Sequence, residues 1–245
     1  MKPHLITALF LFLGLTAQAQ TVTVTNFLHP DAPVARESFA AIEGANFTDV
    51  QLVEPFSPPT TLGGVMVKVD GVPQRLRAVT PARVVFLVDS AGPAVRSVEL
   101  TTKSGVKHLA SIRVVTVWPS VFVQATDESS ESFIPSGLWT TDGIQLRPLT
   151  SAPVPVGPQN RPTLVVIQGS GWRLAAGVSG VNVRLNGIPC PVVAARASAL
   201  FAGQDELVFQ IPSHLAGNGM MDLVVTVAGR ESNYARMNIG DAVTQ

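Results

Sequence analysis

The chain has 245 residues, of which 46% are hydrophobic and 14% charged, with 17 basic and 17 acidic side chains. The apolar share supplies a core, and the low charge argues against a disordered chain. Without a basic excess there is nothing to neutralise a phosphate backbone, so nucleic acid is excluded as an expected partner.

Residues 1–19 read as an export leader. Lys2 and His4 give a short basic start, Leu5 to Leu15 is apolar, and Ala17-Gln18-Ala19 is a small-x-small cleavage site. Cleavage is expected after Ala19, leaving Gln20 at the mature N-terminus. The apolar core is too short to act as a spanning helix, and no later stretch reaches eighteen apolar residues. No stable membrane insertion is expected, and the product is placed in the periplasm or outside the cell. Cys190 is the single cysteine, so no internal disulfide forms. Between Pro189 and Pro191 it reads as a small buried apolar residue rather than a reactive thiol.

After the leader, Thr21 to Phe27 alternates as a strand, and His29 to Pro33 is turn-rich. Ser38 to Ile42 is a second strand, running into Gly44-Ala45-Asn46-Phe47. Asp49 to Pro59 is a loop. From Val65 the side chains alternate again: Val65, Val67 and Val69 face one side, Met66, Lys68 and Asp70 the other. Asp70-Gly71 supplies the positive φ angles of a tight hairpin turn. Leu76 to Val79 is the return arm. Val84 to Val88 is an unbroken apolar run suited to a buried strand. Val95 to Thr101 and Lys107 to Val117 form a hairpin, and Trp118-Pro119 closes the unit.

The same order of parts then returns. Leu164 to Ile167 lead into Gly169-Ser170-Gly171-Trp172. Gly180 to Pro189 repeats the alternating strand and turn, with Asn186-Gly187 in place of Asp70-Gly71. Leu207 to Ile211 matches Val84 to Val88, and Leu223 to Ile239 matches the last hairpin. Copy two has an extra segment, Ala195 to Asp205, and Ala194 to Phe201 has the composition for one or two helical turns. Between the copies lies a connector with a third turn of this kind, Asp142-Gly143. Its arms predict a hairpin over Leu138 to Arg147 that docks on a domain through Ile144 and Leu146. Short strands with turn signals at this spacing predict an all-β chain of two tandem β-sandwiches.

Pro59-Thr60-Thr61-Leu62-Gly63-Gly64-Val65, Asp70-Gly71-Val72-Pro73 and Val79-Thr80-Pro81 resemble an uncharacterised C-terminal domain of secreted acidobacterial proteins. Each half also resembles an IPT/TIG immunoglobulin-like domain. The resemblance implies two immunoglobulin-like β-sandwiches and export, and it implies no chemistry. The expected organisation is a signal peptide over 1–19 and a first immunoglobulin-like domain over 20–125. A partly ordered connector follows over 126–162, then a second domain over 163–240 and a tail over 241–245.

Candidate chemistry is sparse. His29, His108 and His214 are not paired at ligand spacing, so no metal site is expected. Gly169-Ser170-Gly171 lacks the spacing of a serine nucleophile elbow and reads as a backbone kink. Asp127-Glu128-Ser129-Ser130-Glu131 lacks the alternation of a calcium loop and reads as a solvated loop. Asn46-Phe47-Thr48 fits a glycosylation acceptor pattern, which a bacterial leader makes irrelevant. Trp118 and Trp172 are assigned to packing. Trp139, in the polar connector, is the one candidate contact for a partner protein or sugar ring. The chain therefore reads as a non-catalytic exported binding or cell-envelope structural protein without a cofactor. Its partner would be an extracellular protein or polysaccharide. The alternative is a carbohydrate-binding module associated with extracellular hydrolases.

Overall fold

The computed structural model describes residues 22–89, 91, 94–125 and 133–243. The leader at 1–19 and the acidic cluster at 127–131 lie outside the described residues. Among these residues the architecture is all-β, with two 3-10 turns at Val178–Gly180 and Ser213–Leu215. It consists of two sandwiches in tandem.

In the first sandwich one sheet orders its strands as Thr23–Asn26, Phe39–Glu43, Arg83–Leu87, Leu76–Val79 and Leu52–Val53. The facing sheet runs Val34–Ala35, Lys107–Val115, Ala94–Thr101, Val65–Val69 and Thr61–Leu62. Val65, Val67 and Val69 are buried between the sheets, while Met66 and Lys68 are half-exposed, as the alternation predicts. The second sandwich repeats the plan. Gly137–Thr140 flanks Leu164–Ser170, which flanks Asp205–Gln210 and then Val192–Ala197. Opposite lie Val154–Val156, Ala235–Ala242, Gly219–Val227, Val181–Leu185 and Ile188–Cys190.

The correspondence extends to single atoms. At both hairpin turns two successive residues have positive φ: Asp70 and Gly71 at 48° and 80°, Asn186 and Gly187 at 46° and 80°. The first residue of each turn then ties the turn to the next strand. The Ser97 backbone N–H donates to Asp70 Oδ1 at 2.8 Å, and the Asp222 N–H donates to Asn186 Oδ1 at 2.6 Å. The second correspondence is Gly44-Ala45-Asn46-Phe47 with Gly169-Ser170-Gly171-Trp172. Asn46 and Gly171 both have positive φ, and Phe47 and Trp172 are both fully buried. Gly44 and Gly169 lie against those rings, so a Cβ at either would collide with the aromatic side chain.

The connector is where expectation and structure part. The first strand of each sandwich is split between its two sheets. Thr23–Asn26 pairs antiparallel with Phe39–Glu43, and Val34–Ala35 then pairs parallel with Lys107–Val115. Its counterparts in the second sandwich are Gly137–Thr140, antiparallel to Leu164–Ser170, and Val154–Val156, parallel to Ala235–Ala242. Both lie in the segment assigned to a linker. The second sandwich therefore takes in residues 137–162, and its last strand runs to Ala242, inside the segment read as a tail. Its sheet also takes Ser120–Val121 as a partner of Leu164–Ser170, and Val117 and Val121 pack in its core. The first sandwich accordingly ends near Val115 rather than at 125.

The expected hairpin exists, with arms at Gly137–Thr140 and Arg147–Pro148, but Ile144 and Leu146 do not dock. They are 84% and 56% exposed. Asp142 holds the chain in a local loop by accepting from the Ile144 and Gln145 N–H groups at 2.9 Å each, which turns the following residues outward. The helical reading of 194–201 also fails. Val192–Ala197 is a strand, because it can complete the sheet beside Asp205–Gln210.

Candidate functional site

The junction between the sandwiches is the most heavily built feature outside the two cores. It begins with paired strands, Phe39 opposite Leu87 and Ala41 opposite Val85. Ala40, Ile42, Val84 and Phe86 point into the first core. Phe39, Val85 and Leu87 point the other way and are also buried, beneath Phe122 and Ala202 from the second sandwich and its approach. The run Val84–Val88 lacks alternation because both faces of its strand are covered.

The loop that covers this face, 198–204, is shaped by two backbone bonds. Ser198 donates to Gln204 O at 2.8 Å and Gln204 to Phe201 O at 3.2 Å. Gly203, at φ 81°, lies directly against Leu87 and Phe39, where any side chain would collide. Beside it Phe201 stacks on Phe56 of the first sandwich, with ring centroids 5.3 Å apart.

Polar contacts flank the apolar seam. Asp205 is fully buried. It accepts the backbone N–H groups of Trp172 and Arg173 at 2.9 and 3.0 Å and pairs with the Arg173 guanidinium. Burial pushes the Asp205 carboxyl above its ordinary range, against the opposing pull of Arg173 and the two amides. Arg173 also reaches across the junction to Glu37 at 3.6 Å. On the other side Arg230 lies over the Trp118 ring at 5.2 Å and donates to Val117 O at 3.1 Å, while His29 meets Trp118 edge-on.

Within this junction is a cleft of about 490 Å³. Phe27, Phe39, Val85 and Phe122 contribute apolar walls, and Arg77 is the one charged residue among the described residues that line it. Asn233 is committed to Val121, accepting its N–H at 2.7 Å and donating to its carbonyl at 2.9 Å. Two other polar atoms of lining residues are buried without a hydrogen-bond partner: Nη1 of Arg77 and Oε1 of Gln204. Burial pulls the Arg77 guanidinium down from its ordinary value, with Glu54 acting in the opposite sense.

Trp139, the candidate singled out from sequence, is elsewhere. It is half-buried against the second core, on the strand paired with Arg147, and the Arg147 guanidinium covers its ring at 5.3 Å. Trp172 is a core residue and Trp118 a junction residue. His29 packs on Trp118 and His108 on Phe47, while His214 sits in the 3-10 turn. Ser170 is buried in a strand. Cys190 is buried, and desolvation raises its thiol to about 12. No group of three or more metal-ligating side chains occurs among the described residues. Nor does any helix among them have the length and apolarity to cross a membrane. The junction cleft escaped the sequence reading because its walls come from segments near 27, 39, 85, 122 and 204. The available signal was the Val84–Val88 run, which requires cover on both faces.

The fold defines a tandem immunoglobulin-like β-sandwich protein. The family model of the IPT/TIG domain matches residues 148–239, within the second sandwich. Among solved structures, the chain is similar to the titin Ig tandem domains A164-A165 at 9% identity and a TM-score of 0.25, covering 86% of this chain and 91% of that one. Domains 5-6 of the S-layer protein SbsC match at 12% identity and 0.26, covering 90% and 97%. The fibronectin(III)-like modules of Clostridium thermocellum CbhA match at 12% identity and 0.22, covering 91% and 95%. No curated protein matches the chain.

Proposed function

We propose that the chain is an exported, non-catalytic binding or cell-envelope structural protein, working as a two-sandwich unit. The observation that supports this best is the junction. An apolar face formed by Phe39, Val85 and Leu87 is covered by the second sandwich and its approach, so the two domains present their loops and edges in fixed relation. Such an arrangement suits presentation of a surface or a rigid spacing between partners. The leader pattern at 1–19 and the resemblance to a secreted acidobacterial domain support export.

Expression of the full chain in a Gram-negative host, with fractionation and N-terminal sequencing, tests the placement. The mature protein should begin at Gln20 and be recovered from the periplasm or medium. Recovery from the cytoplasm with Met1 retained would overturn it. Cross-linking to isolated envelope should capture an extracellular protein or polysaccharide. Under the carbohydrate-binding alternative, Trp139 is the contact, and Trp139→Ala would abolish retention on an insoluble polysaccharide.

A further inference from the structure

We propose that the flank of the second sandwich along Val192–Ala197 is a docking site for an extended, proline-bearing segment of a partner polypeptide, which adds to that edge as a strand. The proposal rests on the binding reading above and names where, and in what form, a protein partner is held.

The first sandwich shows what such a flank takes. Its side is closed by a strap, residues 52–62, that crosses from one sheet to the other. Leu52–Val53 pairs antiparallel with Leu76–Val79, and Thr61–Leu62 pairs with Val65–Val69. Between these ends the Glu54 N–H donates to Arg77 O at 2.8 Å, and Pro59 O accepts the Leu76 N–H at 2.7 Å. Pro55, Pro58 and Pro59 favour an extended course. Leu52 and Val53 are 40% and 67% exposed, so the strap is held by its backbone more than by its side chains.

The strand beneath the strap has a counterpart in the second sandwich. Leu76–Val79 and Val192–Ala197 take the same place in their sheets and bulge at the same point. Leu76 opposes Phe86 and Ala78 opposes Val85, as Val192 opposes Phe209 and Ala194 opposes Val208. Just before the bulge, Leu87 donates to Arg75 O and Gln210 to Pro191 O. Among the described residues, however, no strand pairs with the outer side of Val192–Ala197. The shorter loop on this side forms the 3-10 turn Val178–Gly180, whose backbone makes no bond to the strand.

The remaining backbone groups of the strand point outward. Pro191 O bonds to Gln210 and the Ser198 N–H to Gln204, both on the neighbouring strand or its approach. An antiparallel ladder alternates, so Val192, Ala195 and Ala197 turn their N–H and C=O groups away from it. Solvent reaches this edge: Val193 is 48% exposed, and Pro191, Arg196 and Ala197 are exposed. Beside it opens a cleft of about 360 Å³, walled in part by Val178, Val181, Pro189 and Val192. Val181 and Val192 stand where Val65 and Leu76 meet the strap in the first sandwich. Val192–Ala197 also lacks the lysine or proline that commonly guards an open edge. The bulge is no obstacle, because the bulged strand of the first sandwich carries Leu52–Val53 on the same side. A row of outward N–H and C=O groups at strand spacing is matched by another strand, which makes a polypeptide the fitting guest.

Fluorescence anisotropy on the full chain lacking residues 1–19 tests the site. The probe is a labelled synthetic peptide copying residues 50–62, the strap itself. It should bind saturably at one per chain. The same peptide N-methylated at its Glu54 position cannot donate to Val193 O and should bind at least about tenfold more weakly. Ala195→Pro deletes an outward N–H that the ladder to Leu207 does not use, and should weaken the probe by a similar factor. Val193→Lys, at an exposed position, should do the same by charging the edge. Thermal melts check that both variants fold. Absence of saturable binding to the folded parent would overturn the proposal, as would undiminished binding to folded Ala195→Pro and Val193→Lys. A dimer of the parent in sedimentation that Val193→Lys dissolves would also overturn it, since the occupant would then be a second copy. If Val193→Lys captures an envelope protein by cross-linking as well as the parent does, the flank is wrong and the binding reading stands.

Discussion

At the scale of single residues, the two carboxylates with the most distinctive environments do different jobs. Asp205 is buried and ties the Trp172 turn to the neighbouring strand through two backbone N–H groups and Arg173. Replacing it with alanine leaves those amides and a nearly buried guanidinium without their acceptor. The expected loss is about 3–5 kcal/mol in urea unfolding, the range for breaking a buried pair. Asp205→Asn keeps an oxygen for the amides and should lose less. Asp142 is exposed. Hydrogen bonds from the Ile144 and Gln145 amides, then from the Thr140 hydroxyl, lower its carboxyl to about 2. Its folded value lies below its unfolded one, so its contribution is complete above the unfolded value and is lost as pH falls through about 2. The amide resonances of Ile144 and Gln145 should therefore stay constant from neutral pH down to about 4 and shift below it. Asp142→Asn should abolish that shift. Neither role was legible in the sequence. Asp205 ends the segment Ala195 to Asp205, which read only as an insertion in the second copy, and its partner Arg173 is thirty-two positions away.

At the scale of elements, the clearest strands were those whose side chains alternate. Val65–Val69 and Val181–Leu185 each keep one buried and one exposed face. Val67→Asp should cost several kcal/mol and Lys68→Gln should change stability by less than about 0.5 kcal/mol. Equal effects would show the faces to be misassigned. Of the split first strand, the parts Thr23–Asn26 and Gly137–Thr140 were legible as strands, but Val34–Ala35 and Val154–Val156 are only two and three residues long and carry no period. Their partners, Lys107–Val115 and Ala235–Ala242, lie far downstream in the chain, and only the completed sheet reveals them. Glycines separate two kinds of constraint. Gly71, at φ 80°, has open space where a Cβ would go, so Gly71→Ala strains only the turn and should cost about 1 kcal/mol. At Gly169 a Cβ would meet both the Trp172 ring and the Ser120 carbonyl. Gly169→Ala should cost clearly more, because neither a fully buried tryptophan nor a paired strand can move aside. Denaturant midpoints for the two variants, measured side by side, check that order.

At the scale of the whole molecule, the question is whether the junction couples the sandwiches. Leu87 tests this, because it stands on a first-sandwich strand yet belongs to the seam and not to the first core. Its neighbours Phe86 and Val88 face inward and hold the strand in place. Leu87→Lys puts an ammonium group where Phe39 and the Gly203 loop now close over a methyl group. A buried, unpaired charge is costly, and the least costly escape is for the seam to open and admit water. The first sandwich should stay folded, since its own core is untouched. Three results are expected together. The parent should unfold in one transition and Leu87→Lys in two. Small-angle scattering should give the variant a larger radius of gyration. Chymotrypsin should cut faster after Phe201, whose ring is stacked on Phe56 in the closed molecule. Val84→Lys is the control, one face over on the same strand and inside the first core. It should unfold the first sandwich outright. If Leu87→Lys instead matches the parent in all three measurements, the seam is not what holds the domains together, and a rigid two-sandwich unit is the wrong description of this protein.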